Sequence, residues 1–215
     1  MSQASGDSVQ DHSQIDSVKT VASAIRGGGV VAFPTDTFYG LGVDPFNEQA
    51  VKRLFEAKGR PANSPVPILI TSLVDLPLVA SEVPDGALAL AEAFWPGALT
   101  LVFRAVDQLP DVVSAGAGTV GVRVPDHAVP REIARALGGP ITGTSANISG
   151  EPPMKTATEV KAAFGDALDL IMEGVCGAHE AASTVVDFTV TPPQVRRHGA
   201  ISLDALRAVS LEVVG

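Results

Sequence analysis

The sequence predicts a single mixed α/β domain, with a mixed β-sheet flanked by helices. In the first half of the chain, short apolar strand patterns alternate with amphipathic helix patterns, whereas the later strand patterns follow one another more closely. The 215 residues are 46% apolar and 18% charged, which is enough apolar material for one buried core. No repeat or long linker divides the chain, so we expect one domain over residues 16–208, with a flexible tail over 1–15 and a short tail over 209–215.

The first predicted element is a helix with Asp16 as its N-cap and Gly27 at its end. A buried strand over 30–33 follows. Asn47 is the predicted N-cap of a second helix, whose last turn or exit carries Lys58 and Arg60. The next two elements are a strand over 66–71 and a helix over 85–94.

The rest of the chain is richer in strands. Apolar runs predict strands over 99–104, 119–124, 141–144, 168–172, 183–188 and 194–197. Helices are predicted over 130–137, after a Thr158 cap and after a Ser202 cap.

The composition argues against several classes of protein. A net charge of −9 is unlike the basic character of domains that grip nucleic acid in bulk. Cys176 is the single cysteine, so the chain cannot form an internal disulfide. His179 and Glu180 begin like a zinc-binding HExxH motif, but the second histidine is missing. We therefore expect no metal site built from protein side chains.

The sequence also carries no signal peptide or membrane span. The N-terminus has neither a basic nor an apolar region. The most apolar stretch, over 87–106, is interrupted by charged residues, proline and glycine. We expect a cytoplasmic protein.

The segment 116–121 matches the glycine pattern GxGxxG, but its context differs from that of a dinucleotide site. Such a site needs a strand before the glycines and a helix after them. Here a strand pattern follows, so we interpret the glycines as a turn that enters a strand.

Three other segments are candidate sites. The segment 34–42 places hydroxyls and glycines just after a buried strand, where open α/β sheets bind ligands. Lys58 and Arg60 place two cations at a helix end, and Ser145 and Asn147 leave a short strand with groups that can bind phosphate. Each segment also has a structural interpretation, as a tight turn or as a cation pair that complements the helix dipole.

Arginines and hydroxyls recur at the other strands. Arg123 lies within an apolar strand and needs either a carboxylate partner or a ligand. Arg197 and Ser183 repeat such groups in the last two strands. The sequence offers these hydroxyl, amide and guanidinium groups but no paired acids, catalytic Cys/His pairs or metal clusters. Together they predict a site that binds and positions anions, as phosphoryl and nucleotidyl transfer require.

Seven segments in the same order resemble the YrdC-like threonylcarbamoyl-AMP synthases, from about Val18 to Ala205. They are 34–42 (PTDTFYGLG), 58–61 (KGRP), 95–100 (WPGALT), 119–125 (TVGVRVP), 145–150 (SANISG), 183–187 (STVVD) and 197–201 (RHGAI). The resemblance implies a single twisted α/β domain with an open concave cleft, in the short form without a further C-terminal domain.

The resemblance also implies an activity, namely the formation of threonylcarbamoyl-AMP and pyrophosphate from L-threonine, bicarbonate and ATP, with Mg²⁺ accompanying ATP. The product would feed the N6-threonylcarbamoyl modification of adenosine 37 in tRNA. The implied catalytic residues are Lys58, Arg60, Ser145 and Asn147. These four and Ser64, Thr119 and Arg197 would bind ATP. Threonine would be held by Thr37, Tyr39, Arg123, Gly143 and Ser183.

The sequence departs from the family pattern at two places. His198 replaces the usual proline after Arg197, and the stretch 66–70 lacks a histidine that many members carry beside the threonine pocket. The alternative function is that of a protein that binds tRNA or double-stranded RNA without synthase activity. The expected partners are the small substrates and the tRNA threonylcarbamoyl-transferase machinery, with weak tRNA contact at most and no membrane.

Overall fold

The computed structural model describes residues 7–61, 64–177 and 181–215. The helices are α1 Asp7–Arg26, α2 Glu48–Lys58, α3 Asp85–Phe94, α4 Asp111–Ser114, α5 Ala128–Leu137, α6 Ala157–Phe164 and α7 Leu203–Val209. The strands are β1 Val31–Pro34, β2 Tyr39–Gly42, β3 Ile68–Leu69, β4 Leu99–Arg104, β5 Thr119–Arg123, β6 Ile141–Thr142, β7 Thr144–Ser145, β8 Leu170–Ile171, β9 Thr184–Asp187 and β10 Gln194–Arg197. Two short 3₁₀ helices cover Leu73–Leu78 and Gly165–Ala167.

The mixed α/β class is confirmed, but the described strands form two hydrogen-bonded sheets where the sequence predicted one. The smaller sheet has the order β7-β2-β1-β8 and the larger has the order β10-β9-β4-β5-β3-β6. Both are mixed, since β1 is antiparallel to β2 and parallel to β8, while β4 is antiparallel to β5 and parallel to β9. One apolar cluster includes residues of both sheets and of α2, α3 and α6, so the two sheets share a core.

Gly143 is the point at which the chain passes from the larger sheet to the smaller one. The predicted strand over 141–144 is therefore broken into β6 and β7. The Gly143 N–H donates to the carbonyl of Pro67 at 2.8 Å, and a Cβ at this position would lie 2.3 Å from Cγ of Leu69. Only glycine fits this crossing without displacing Leu69.

Helix α1 begins earlier than predicted. It starts at Asp7, not after a cap at Asp16, because no glycine or proline interrupts the chain between Asp7 and Arg26. Residues 7–15 of the predicted tail are thus helical, and residues 1–6 lie outside the described residues. The apolar residues Val18, Val21 and Ile25 of this helix are buried and belong to one cluster with α5, for example through Ile25 and Ile133.

Two of the four predicted N-caps are confirmed, Asn47 and Ser202. The Asn47 side chain accepts from the Ala50 N–H at 3.1 Å, and Ser202 caps α7. The cap of α6 is Thr156, not Thr158, because Thr156 forms a reciprocal capping box with Glu159.

The predicted C-terminal tail over 209–215 packs against the domain. Val213 is fully buried, and Val214 donates to the carbonyl of Pro193 at 2.9 Å. No helix in the described part of the chain has the length and apolar character that crossing a membrane requires.

Candidate functional site

A cleft of about 460 Å³ is lined by residues of both sheets. A smaller depression of about 240 Å³ adjoins it, and Arg60 and Ser145 line both. Nine of the predicted site residues line the cleft: Thr37, Tyr39, Arg60, Thr119, Arg123, Gly143, Ser145, Ser183 and Arg197. The other three, Lys58, Ser64 and Asn147, line the depression. The structure thus brings together all twelve residues from six separate stretches of chain.

Arg60 lies where the cleft and the depression meet. Its guanidinium donates to the carbonyls of Ser64 at 3.3 Å and Pro65 at 2.6 Å, and to the Thr144 hydroxyl at 3.1 Å. The ring of Phe55 lies 5.9 Å from the guanidinium carbon, and burial lowers the pKa of Arg60. The acceptors are neutral, so they fix the side chain and leave its charge uncompensated.

Lys58 is the last residue of α2, and only 1% of it is exposed. Its Nζ donates to the main-chain carbonyl of Ser145. It also donates to the carbonyl of Asn147 at 2.8 Å and to Asn147 Oδ1 at 3.1 Å. Burial lowers the pKa of Lys58 to about 7, with a smaller contribution from the charge of Arg60.

The turn after β7 is tied together by its own side chains. The Ser145 hydroxyl donates to Asn147 Oδ1 at 2.7 Å. The amide nitrogen of Asn147 donates to the carbonyls of Ile148 at 2.9 Å and Glu151 at 2.8 Å. This network holds the exposed Ser145 side chain at the rim shared by the cleft and the depression.

Arg123 has the carboxylate partner that its burial requires. It projects from β5, is 8% exposed, and forms an ion pair with Asp36, which is 2% exposed. Its Nε donates to the Gly97 carbonyl at 2.7 Å. Burial lowers the pKa of Arg123, and the Asp36 charge opposes this shift. No donor among the described residues reaches Asp36 Oδ1.

Ser183 and Arg197 form one hydrogen-bonded group at the cleft wall. Arg197 donates to the Ser183 hydroxyl at 2.9 Å and to the Ser183 carbonyl at 3.0 Å. The same hydroxyl lies 2.9 Å from the hydroxyl of Thr100, which also lines the cleft. Burial lowers the pKa of Arg197.

Two predicted threonine-site residues use their polar groups elsewhere. The buried Tyr39 hydroxyl donates toward the carbonyls of Met172 at 3.1 Å and Gly174 at 3.0 Å, and burial raises the pKa of Tyr39 to about 12. The Gly143 N–H is bonded to Pro67. These residues therefore shape the cleft wall. Thr37 instead offers a hydroxyl, 3.2 Å from that of Thr35.

The cleft is positive although the chain is acidic. Among the described residues, its lining has four arginines and no carboxylate. Asp36 pairs with Arg123 and Asp187 pairs with Arg196. Within the described residues Arg60 and Arg197 form no salt bridge, and no group of three His, Cys, Asp or Glu side chains could hold a metal. The arrangement suits a polyanionic ligand.

Sequence reasoning did not single out Asp36 and Thr100, each of which contacts a predicted site residue. Asp36 lies within the 34–42 segment, and the signal for it is the need of a buried arginine for a carboxylate. Thr100 ends the 95–100 segment. The sequence around it does not distinguish it from a threonine that simply favours a β-strand.

Comparison with known proteins gives consistent matches. The model of the Sua5/YciO/YrdC family, described as "Telomere recombination", matches residues 23–199. A threonylcarbamoyl-AMP synthase of Pyrococcus abyssi is 41% identical over 91% of this chain, and one of Vibrio parahaemolyticus is 34% identical over 86%. The crystal structure of P. abyssi Sua5 complexed with L-threonine superposes with a TM-score of 0.88 over 92% of this chain.

The relatives differ in length. The chain spans 58% of the P. abyssi protein, both in sequence and in the threonine-bound structure. It spans 100% of the V. parahaemolyticus protein.

Proposed function

Because the chain belongs to the Sua5/YciO/YrdC family, we propose that it is an L-threonylcarbamoyladenylate synthase, which converts L-threonine, bicarbonate and ATP to threonylcarbamoyl-AMP and pyrophosphate. The observation that carries the proposal is the positive cleft, in which the described residues supply no carboxylate to the lining and no salt-bridge partner to Arg60 or Arg197. A reaction between two anions needs such fixed positive charge.

The ATP phosphates lie at the Arg60 end of the site. Arg60 and the Ser145 hydroxyl reach both the cleft and the depression, and Lys58 and Asn147 lie on the depression side. Ser64, Thr119 and Arg197 complete the proposed ATP contacts. Mg²⁺ would enter with ATP, with phosphate and water as its main ligands, because the described lining of the cleft offers no carboxylate.

Threonine lies at the Arg123 end. The Arg123 guanidinium faces the cleft and suits the threonine carboxylate, while the hydroxyls of Ser183 and Thr37 suit polar atoms of the amino acid. Tyr39 and Gly143 contribute shape at the same wall. P. abyssi Sua5, 41% identical, was crystallised in complex with L-threonine, which supports threonine as a substrate of this chain.

The chemistry follows from bringing the two ends together. The threonine amine and bicarbonate condense to a carbamate with loss of water, and a carbamate oxygen attacks the α-phosphorus as the bond to the pyrophosphate oxygen breaks. Arg60 and Arg197 offset the repulsion between carbamate and phosphates, so positioning and charge stabilisation supply the catalysis.

The product defines the proposed partners. Threonylcarbamoyl-AMP is a mixed anhydride that transfers its carbamoyl group readily, so we propose delivery to the tRNA threonylcarbamoyl-transferase machinery in the cytoplasm. The acidic surface, with a net charge of −9, fits weak tRNA contact at most.

The proposal is tested by pyrophosphate release from MgATP with each substrate omitted in turn. We expect release only when threonine and bicarbonate are both present. Arg60→Ala removes an unpaired cation and should reduce the rate at least about tenfold, the effect of losing roughly 1.5–3 kcal/mol of charge-assisted bonding. The control is Arg104→Ala, an exposed residue at the end of β4. Release that ignores threonine, or a wild-type rate in Arg60→Ala, would contradict the proposal.

A further inference from the structure

Lys58 holds the turn over residues 145–150 from two sides. Its ammonium donates to the Ser145 carbonyl and to two oxygens of Asn147. Its own main-chain carbonyl accepts from the Ser149 N–H at 2.9 Å. Side chain and backbone of one helical residue therefore fix both ends of the turn.

These contacts use all the hydrogen-bonding capacity of the ammonium group. A lysine ammonium has three N–H donors, and Nζ has three acceptors, all in the turn. The side chain is buried, so contact with a phosphate would require breaking one of these bonds. Arg60 and the exposed Ser145 hydroxyl face the cleft directly.

We infer, on the basis of the proposed function, that Lys58 is a positioning residue, whose charged ammonium keeps the 145–150 turn in the conformation that binds the ATP phosphates. Direct contact with the phosphates comes from Arg60, from Ser145 and from the turn itself. Lys58 acts through the turn and does not touch the nucleotide.

The inference makes ATP binding depend on the hydrogen bonds of the Lys58 ammonium. An apolar side chain of similar length would leave three acceptor oxygens of the turn without this donor, so the turn should open more often and bind MgATP more weakly. Burial, aided by the Arg60 charge, lowers the pKa of Lys58 to about 7, so the variants are compared at pH 6.5, where the ammonium is the main form.

The experiment measures the turn and ATP binding separately. Hydrogen–deuterium exchange of the Ser149 amide is followed in the unliganded protein, and the Kd of MgATP is measured by calorimetry, both at pH 6.5. Both measurements are made on the wild type, Lys58→Met and Lys52→Met. Lys52 is a matched control, because it lies on the same helix in an exposed pair with Glu48.

In Lys58→Met we expect Ser149 exchange about tenfold faster and a MgATP Kd at least about tenfold higher, whereas Lys52→Met should match the wild type in both. If ATP affinity falls while Ser149 exchange stays at the wild-type rate, Lys58 contacts the nucleotide and the inference is wrong. If Lys58→Met does not fold, Lys58→Gln, whose amide keeps two N–H donors, takes its place, and faster Ser149 exchange must again accompany weaker MgATP binding. Neither measurement requires product formation, so both can be interpreted even if the synthase assay shows no activity.

Discussion

The buried ion pair between Arg123 and Asp36 predicts a large loss of stability when its acid is neutralised. Asp36→Asn keeps the shape of the side chain and leaves the guanidinium of Arg123, 8% exposed, without a counter-charge. Removing one partner of a buried pair costs about 3–5 kcal/mol. The Gly97 carbonyl and the asparagine oxygen retain some of the bonding, so we expect a loss of about 3 kcal/mol in the free energy of unfolding, measured by urea titration.

The matched control is Asp187→Asn. Asp187 pairs with Arg196, whose side chain is 50% exposed, and exposed pairs contribute about 0–1 kcal/mol. The double variant Asp36→Asn/Arg123→Met removes both buried charges and should recover part of the loss. The reasoning is refuted if Asp36→Asn costs no more than Asp187→Asn, or if the double variant is less stable than the sum of the single variants predicts.

Two further predictions follow from other contacts. Gly143→Ala should destabilise the protein by about 1–3 kcal/mol, since its Cβ would lie 2.3 Å from Leu69. The control is Gly139→Ala, which has open space around its Cβ. Equal urea midpoints for the two variants would contradict the close packing at Gly143. Burial lowers the pKa of Lys58 from 10.5 to about 7. Between these two pH values the unfolded chain binds more protons than the folded protein. The free energy of unfolding should therefore increase as the pH rises from about 7 to 10.5, by up to about 1.4 kcal/mol per pH unit. Lys58→Met should remove that slope, and an unchanged slope in thermal or urea unfolding would show that Lys58 is not its source.

The elements with strong local patterns could be predicted from sequence. The helix over 85–94 and the strand over 99–104 have the predicted bounds, because their periodicity is uninterrupted. Strand β2 was missed because its glycines resemble a turn. Gly42 is nevertheless a strand residue, and its Cβ would lie 2.5 Å from the ring of Phe33, a constraint that becomes visible only once β1 and β2 are paired.

The candidate site was predictable as a list of groups, but not as a geometry. Hydroxyls and cations after strands indicated an anion site, and the structure gathers them in adjoining cavities. The sequence could not show that the Tyr39 hydroxyl turns away from the cleft, that Asp36 neutralises Arg123, or that Lys58 is committed to the Ser145 turn. Each of these contacts joins segments more than 80 residues apart, and local patterns carry no information on such pairing.

The measurement that tests the central claim most directly is isotopic analysis of the product. The protein is incubated with MgATP, L-threonine and ¹³C-labelled bicarbonate, and the nucleotide product is identified by mass spectrometry before it hydrolyses. The account predicts an adenylate that contains one threonine and one labelled carbonyl carbon, formed together with pyrophosphate. An unlabelled threonyl adenylate, or pyrophosphate release without any labelled adenylate, would contradict it.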